Sequence, residues 1–202
     1  DTDYYVESGE HEHEKRAIAT VALQFIHPAQ SVCMDSGTTI QQLITMLPPT
    51  MPLSIITPSL MAALTLSNNT NIQVLIPGGV LHHSNRSILL SDPDWLSQYQ
   101  ADVAFLSCRS FQVPGGAFEH SQSLTFTKKA LAAIAQKRIL LLDFSKWNVS
   151  SLCNSLKMSD LNMIITDNKA PMDLVEKAAR FGIEILIVNP DDNTIEKHFN
   201  PA

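Results

Sequence analysis

The chain is predicted to fold as an α/β domain, a mostly parallel sheet with helices on both faces. Short, largely apolar runs recur at 31–34, 53–57, 72–76, 102–107, 138–143, 161–166 and 183–188, the composition of strands covered on both sides. Segments with helical apolar spacing alternate with them. No internal stretch is rich enough in Gly, Ser or Pro to divide the chain, so one domain holds the core.

Residues 1–9 are polar and read as a linker, and a chain opening on Asp1 rather than Met is expected to have been cut from something longer. Residues 10–190 form the predicted domain. A helix over 10–26 carries apolar residues at 17, 18, 21, 22 and 25 and is stopped by His27-Pro28. Strand 31–35 leads into helix 38–47, whose Ile40, Leu43, Ile44 and Leu47 share one face, and Pro48-Pro49 closes it. Strand 53–57 precedes helix 59–66, and strand 72–76 ends on Pro77-Gly78-Gly79. After a less regular stretch come strand 102–107, a loop at Pro114-Gly115-Gly116, helix 123–136 and strand 138–143. Strand 161–166, helix 171–181 and strand 183–188 complete the domain, and 191–202 reads as a polar C-terminal tail.

Composition excludes several functions. A formal net charge of −6 argues against binding nucleic acid with this chain alone, since phosphate neutralisation needs a basic stripe. Lys128-Lys129 and Lys137-Arg138 read as helix-face charges. No apolar run is long enough to cross a bilayer, and the acidic opening has no signal-peptide core. Cys33, Cys108 and Cys153 are far apart, with no CxxC, so neither a disulfide framework nor a zinc site is expected. These features point to a reducing, cytoplasmic setting. His11 and His13 sit two apart, which does not share a helix face, so no metal is expected. The Gly-Gly turns lack a nucleotide-binding pattern, so no cofactor is expected.

The segment Asp35-Ser36-Gly37-Thr38-Thr39 is the most informative. It joins an apolar strand to an amphipathic helix by a tight glycine turn, the place where backbone N–H groups at a helix start can meet an anion. Asp, Ser and Thr are also favoured helix caps, so a cap without a ligand is the competing reading. Strands end in Asp35, Thr57, Ser107, Asp143 and Thr166, which converge only if the strands are neighbours.

Taken in order, these motifs resemble a known family. They are Glu14-Lys15-Arg16-Ala17-Ile18-Ala19, Asp35 to Thr39, Ile55-Ile56-Thr57-Pro58-Ser59-Leu60, Pro77-Gly78-Gly79, Asp102-Val103-Ala104-Phe105-Leu106, Lys128-Lys129-Ala130-Leu131, Asp143-Phe144-Ser145-Lys146-Trp147 and Ile164-Ile165-Thr166-Asp167. Over residues 10–190 the chain resembles the C-terminal sensor domain of DeoR-type bacterial transcriptional regulators. The resemblance implies a fold like that of sugar-phosphate isomerases and CoA transferases, and an oligomerising domain that senses a phosphorylated sugar or related metabolite. It also implies a repressor whose winged helix-turn-helix, absent here, contacts DNA. The implied effector contacts are Asp35, Ser36, Gly37, Thr38, Thr39, Thr57, Ser59, Gly78, Gly79 and Lys146, with no catalytic residue.

Pro58, His82, Ser107, Ser110, Leu90 and Leu124 depart from the family pattern, Leu124 standing where a glutamate is usual. The phosphate loop is kept, while the part of the pocket that would recognise the sugar is rewritten. With that glutamate gone, Asp35 and Asp143 read as structural rather than as bases. An isomerase-like enzyme is therefore the rival reading, and a degenerate domain kept only for dimerisation is the third.

Overall fold

The computed structural model describes residues 8–200. An eight-stranded sheet runs in the order β13-β12-β11-β9-β6-β1-β2-β3. Its parallel members are β1 (Ser31–Met34), β2 (Leu53–Ile56), β3 (Ile72–Leu75), β6 (Ala101–Leu106), β9 (Ala135–Leu141), β11 (Met163–Asp167) and β12 (Glu184–Asn189). From β1 the chain first winds outward through β2 and β3, then crosses to the other side through β6 and β9. The order thus reverses between β1 and β6, the place where open α/β sheets hold ligands beyond the strand ends.

Alternating strand residues feed two cores, one on each face. Val32 and Met34 join Phe105, Ile139 and Ile165 on one face, covered by α1 (Glu12–Ala22) through Ile18 and Val21 and by α2 (Thr38–Thr45) through Ile40 and Leu43. Cys33, Leu106, Leu140 and Ile164 turn to the other face, under Leu131 of α5 (Gln122–Ala133) and Val175 of α6 (Met172–Ala179). Burying each such large side chain contributes about 1.5–3 kcal/mol. α3 (Leu60–Leu66) lies between β2 and β3, and the short α4 (Asp94–Ser97) precedes β6.

Three segments differ from the sequence reading. The irregular stretch before β6 contains a hairpin of β4 (Gly79–His82) and β5 (Ser87–Leu90). The Pro114-Gly115-Gly116 turn joins β7 (Ser110–Gln112) to β8 (Gly116–Glu119), which pairs with β10 (Cys153–Leu156) in a small antiparallel sheet. Within the segment read as a polar tail, β13 (Thr194–Phe199) runs antiparallel to β12 and extends the main sheet. β13 is exposed along nearly its whole length; backbone pairing holds it, helped by Phe199 against the core and by the His198–Glu184 and Asn168–Glu196 contacts, and no apolar alternation announces it. The reading of 1–9 falls, apart from Ser8 and Gly9, outside the described residues. Among the described residues no helix is long and apolar enough to cross a membrane.

Candidate functional site

The loops after β1, β6 and β9 and the β4–β5 hairpin surround one cavity at the switch point. Asp35 to Thr39, Ser107 to Arg109, Asp143 and Lys146 line it, with His82, Asn85, Glu119 and Lys128. All of the pentapeptide and Lys146 are therefore brought together.

The pentapeptide is not a self-capped helix start. Gly37 occupies the cap position of α2 and no side chain caps that end, whereas Ser59 Oγ accepts from Ala62 N in α3 and Ser121 Oγ from Leu124 N in α5. Asp35 turns inward instead. Its Oδ1 accepts from Ser36 N at 2.8 Å, and its Oδ2 from Ser107 N at 3.1 Å. Thr38 and Thr39 of the first turn of α2 line the cavity, and an uncapped helix start carries about half a positive charge.

Gly37 has φ 154°, and a Cβ added there would stand 2.6 Å from Ser107 Oγ. Ser107, one of the departures from the family pattern, donates through that hydroxyl to Ser36 O at 2.9 Å. It ties the loop from the side that a larger residue at 37 would occupy.

Lys128 is the functional residue that sequence reading missed. The sequence reads it as a helix-face charge, but it is 3% exposed. Its ammonium donates to Asp35 Oδ2 and Ser107 O and lies 3.2 Å from Glu119 Oε1. Three donors meet three acceptors, so Lys128 stiffens the cavity floor and has no hydrogen left for a ligand. Burial alone would lower its pKa, but Asp35 and Glu119 outweigh that and raise it. The sequence did carry a signal: Lys128 lies four residues after Leu124 and three before Leu131, on the inward stripe of α5. Lys129, one position on, is exposed.

Burial raises Glu119 above its ordinary 4.5, opposed by Lys128 and reinforced by Asp35. The folded protein thus holds this proton to higher pH than the unfolded chain, so stability falls as pH rises from 4.5 through the raised value. Glu119→Gln cannot titrate and is expected to remove that decline. Urea unfolding at pH 4, 6 and 8 should show the variant gaining on the parent as pH rises, and parallel curves would refute the assignment. Burial also pushes the Cys108 thiol at the cavity wall up to about 12, which leaves it un-ionised and unreactive at neutral pH.

Other expected contacts are placed differently. Thr57 and Ser59 do not line the cavity: Thr57 Oγ1 accepts from Ser59 N, and Ser59 caps α3. Gly78 and Gly79 also lie outside it. A Cβ at Gly79 would come within 1.9 Å of Leu89 O, so hairpin packing accounts for that glycine. The hairpin contributes His82 and Asn85 instead, with Asn85 Oδ1 2.8 Å from His82 Nδ1 and 2.6 Å from Ser87 Oγ. Lys146 is half-buried, with no ion pair among the described residues.

A parallel sheet with helices and a cavity at its switch point, ringed by an uncapped helix start and a lysine, defines a domain of the sugar-phosphate isomerase-like fold. A D-ribose-5-phosphate isomerase solved in complex with phospho-erythronic acid superposes with a TM-score of 0.50 at 19% identity, over 67% of this chain and 54% of that one. The family model described as the DeoR C terminal sensor domain matches residues 10–168, and the chain belongs to that family. An uncharacterized HTH-type transcriptional regulator of Bacillus subtilis, YulB, is 31% identical over 77% of this chain and 60% of its own length. A putative aga operon transcriptional repressor of Escherichia coli O157:H7 is 26% identical over 86% of this chain and 65% of its own length. The chain thus spans about three-fifths to two-thirds of these regulators.

Proposed function

We propose that this chain is the effector-binding part of a DeoR-type repressor and that its cavity takes a phosphorylated sugar or similar phosphorylated metabolite. The uncapped start of α2, opening into the cavity beside Lys146, carries this reading. A phosphoryl group would accept from the N–H groups of the first turn and from the Ser36, Thr38 and Thr39 hydroxyls, with the Lys146 ammonium as counter-charge. Lys128 would act indirectly, by fixing Asp35 and thereby the loop.

Effector binding would shift the domain between conformations by differential affinity. Lys146 and Arg109 also border a second hollow against Glu10 and His11 at the entry to α1, and the His11 ring meets Phe144 edge-on at 4.7 Å. The Asp143–Trp147 turn is in this reading the link between the effector and the start of the domain. Contact with DNA would fall to a winged helix-turn-helix outside this chain. A second copy of the chain would dock on exposed apolar surface, such as Val80 and Leu81 of the hairpin, or on the outer edge of β3, which ends the main sheet.

Thermal shift against phosphosugars and their unphosphorylated parents is the test. Stabilisation is expected only with the phosphorylated members, scaling as RT ln(1 + [L]/Kd). Replacing Thr38 and Thr39 together by Val is expected to weaken binding by about tenfold or more without loss of fold. No shift with any member at millimolar concentration would refute the sensor reading in favour of a domain kept for dimerisation, and turnover of a phosphosugar would favour an enzyme.

A further inference from the structure

The chain is 17% charged, yet residues 36–85 contain no Asp, Glu, Lys or Arg, and His82 and His83 are their only titratable side chains. The fold gathers that run at one end of the main sheet, as α2, β2, α3, β3 and β4. Four large apolar side chains stand exposed within it. Leu64 belongs to α3, whose Ala62 and Leu66 share a core with Ile72 and Val74 of β3, and Ile76, Val80 and Leu81 follow that strand.

β3 closes the sheet at this end, and no strand among the described residues pairs with its outer side. Leu53 N donates to Asn71 O and Thr57 N to Leu75 O, so the odd-numbered residues here turn their backbone groups to β2. By alternation Val74 and Ile76 turn theirs outward. Edge strands are ordinarily guarded by charges, a bulge or a proline. The opposite edge follows that rule: β13 exposes Glu196, Lys197 and His198 and shifts register against β12. β3 has neither charge nor bulge before Pro77.

We propose that the outer edge of β3 pairs antiparallel with β3 of a second copy of this chain, about a two-fold axis at Val74, joining the two sheets into one. The inference rests on the oligomerisation proposed above, but not on what the cavity binds. Each copy carries a formal charge of −6, which opposes association through its other faces. At this end a two-fold brings identical surfaces together with no like charges in contact. In that register Val74 faces its own counterpart and Ile76 faces Ile72. The outward backbone groups then gain partners, and the exposed Ile76 is covered.

Analytical ultracentrifugation of the protein without any sugar phosphate tests this. The parent is expected to sediment as a dimer or a multiple of one. Ile76→Lys puts a charge opposite Ile72 on each side of the seam, and should weaken dimerisation by about tenfold or more. Phe181→Lys, at an exposed apolar position after α6, should keep the dimer. Val74→Cys in a Cys153→Ser background gives a second measurement, should the lysine variant fold poorly. Mild oxidation should link two chains, because facing residues of a hydrogen-bonded antiparallel pair stand about 5.5 Å apart at Cα, within disulfide reach.

A dimer that survives Ile76→Lys, or that forms no cross-link at 74, would overturn the β3 pairing and leave the oligomerising reading in place. A parent that stays monomeric even at millimolar concentration would overturn both.

Discussion

Replacing Lys128 by Met is expected to destabilise the domain by about 3–5 kcal/mol at pH 7, the cost of removing one partner from a buried charge cluster. Two carboxylates, Asp35 and Glu119, would then share the cavity floor with no cation between them. The Ser107 carbonyl would also lose its donor. The deficit should narrow in acid, because Glu119 already holds its proton above the ordinary range and would do so more strongly without Lys128. Adding Glu119→Gln to the Met variant should recover part of the loss at pH 7 and little at pH 4. Urea denaturation of the three proteins at both values measures this. A loss below about 1 kcal/mol in the single variant, the range of a surface pair, would mean that the cluster does not organise the floor.

The second large effect is expected at Gly37. Alanine there must accept a φ of 154° and put its Cβ 2.6 Å from Ser107 Oγ, a backbone cost of about 1–3 kcal/mol before any steric adjustment. The loop has two ways to relieve it, and both disturb the site. Moving 36–39 outward turns the α2 N–H groups from the cavity, and displacing Ser107 releases the 2.9 Å bond that ties Ser36 O. Gly37→Ala should therefore lose phosphosugar binding even where the fold survives. Ser107→Gly added to it should restore stability in part, by removing the clash, but not the cost of φ. Binding and melting temperature measured on the single and double variants separate the two contributions. Full binding by the single variant would show that the loop's backbone does not hold the anion.

Much of this domain can be read from the chain. Seven parallel strands stand out because most are covered on both faces, so their middles are largely apolar. α2 shows its inward face through Ile40, Leu43 and Ile44. What escaped reading is short or exposed. The β4–β5 hairpin has four-residue strands, one of them almost wholly exposed, and β13 is exposed along all but its last residue. Local pattern reports which side chains are withdrawn from water, and it says little where a strand is held mainly by its backbone.

At the cavity the division is different. Asp35 to Thr39 and Lys146 could be nominated because a strand–glycine–helix junction and a lysine near a strand end have a local reason to meet an anion. Thr57, Ser59 and Gly79 have equally local signatures, yet here they serve a cap and a hairpin. The polarity of the Asp35 side chain was visible, but not that it faces Lys128, 93 positions away. Glu119 was not singled out because β8 reads as part of a loop.

The sequence by itself determined the class of fold, the order of the seven parallel strands and the family, and it nominated residues 35–39 as the segment to face a phosphoryl group. Only the tertiary structure decided that this segment is uncapped and that Lys128 is spent inside the floor. The physical reason is that a polar residue's role depends on whether a partner is within about 3 Å, and the partners here come from strands and helices far apart in the chain.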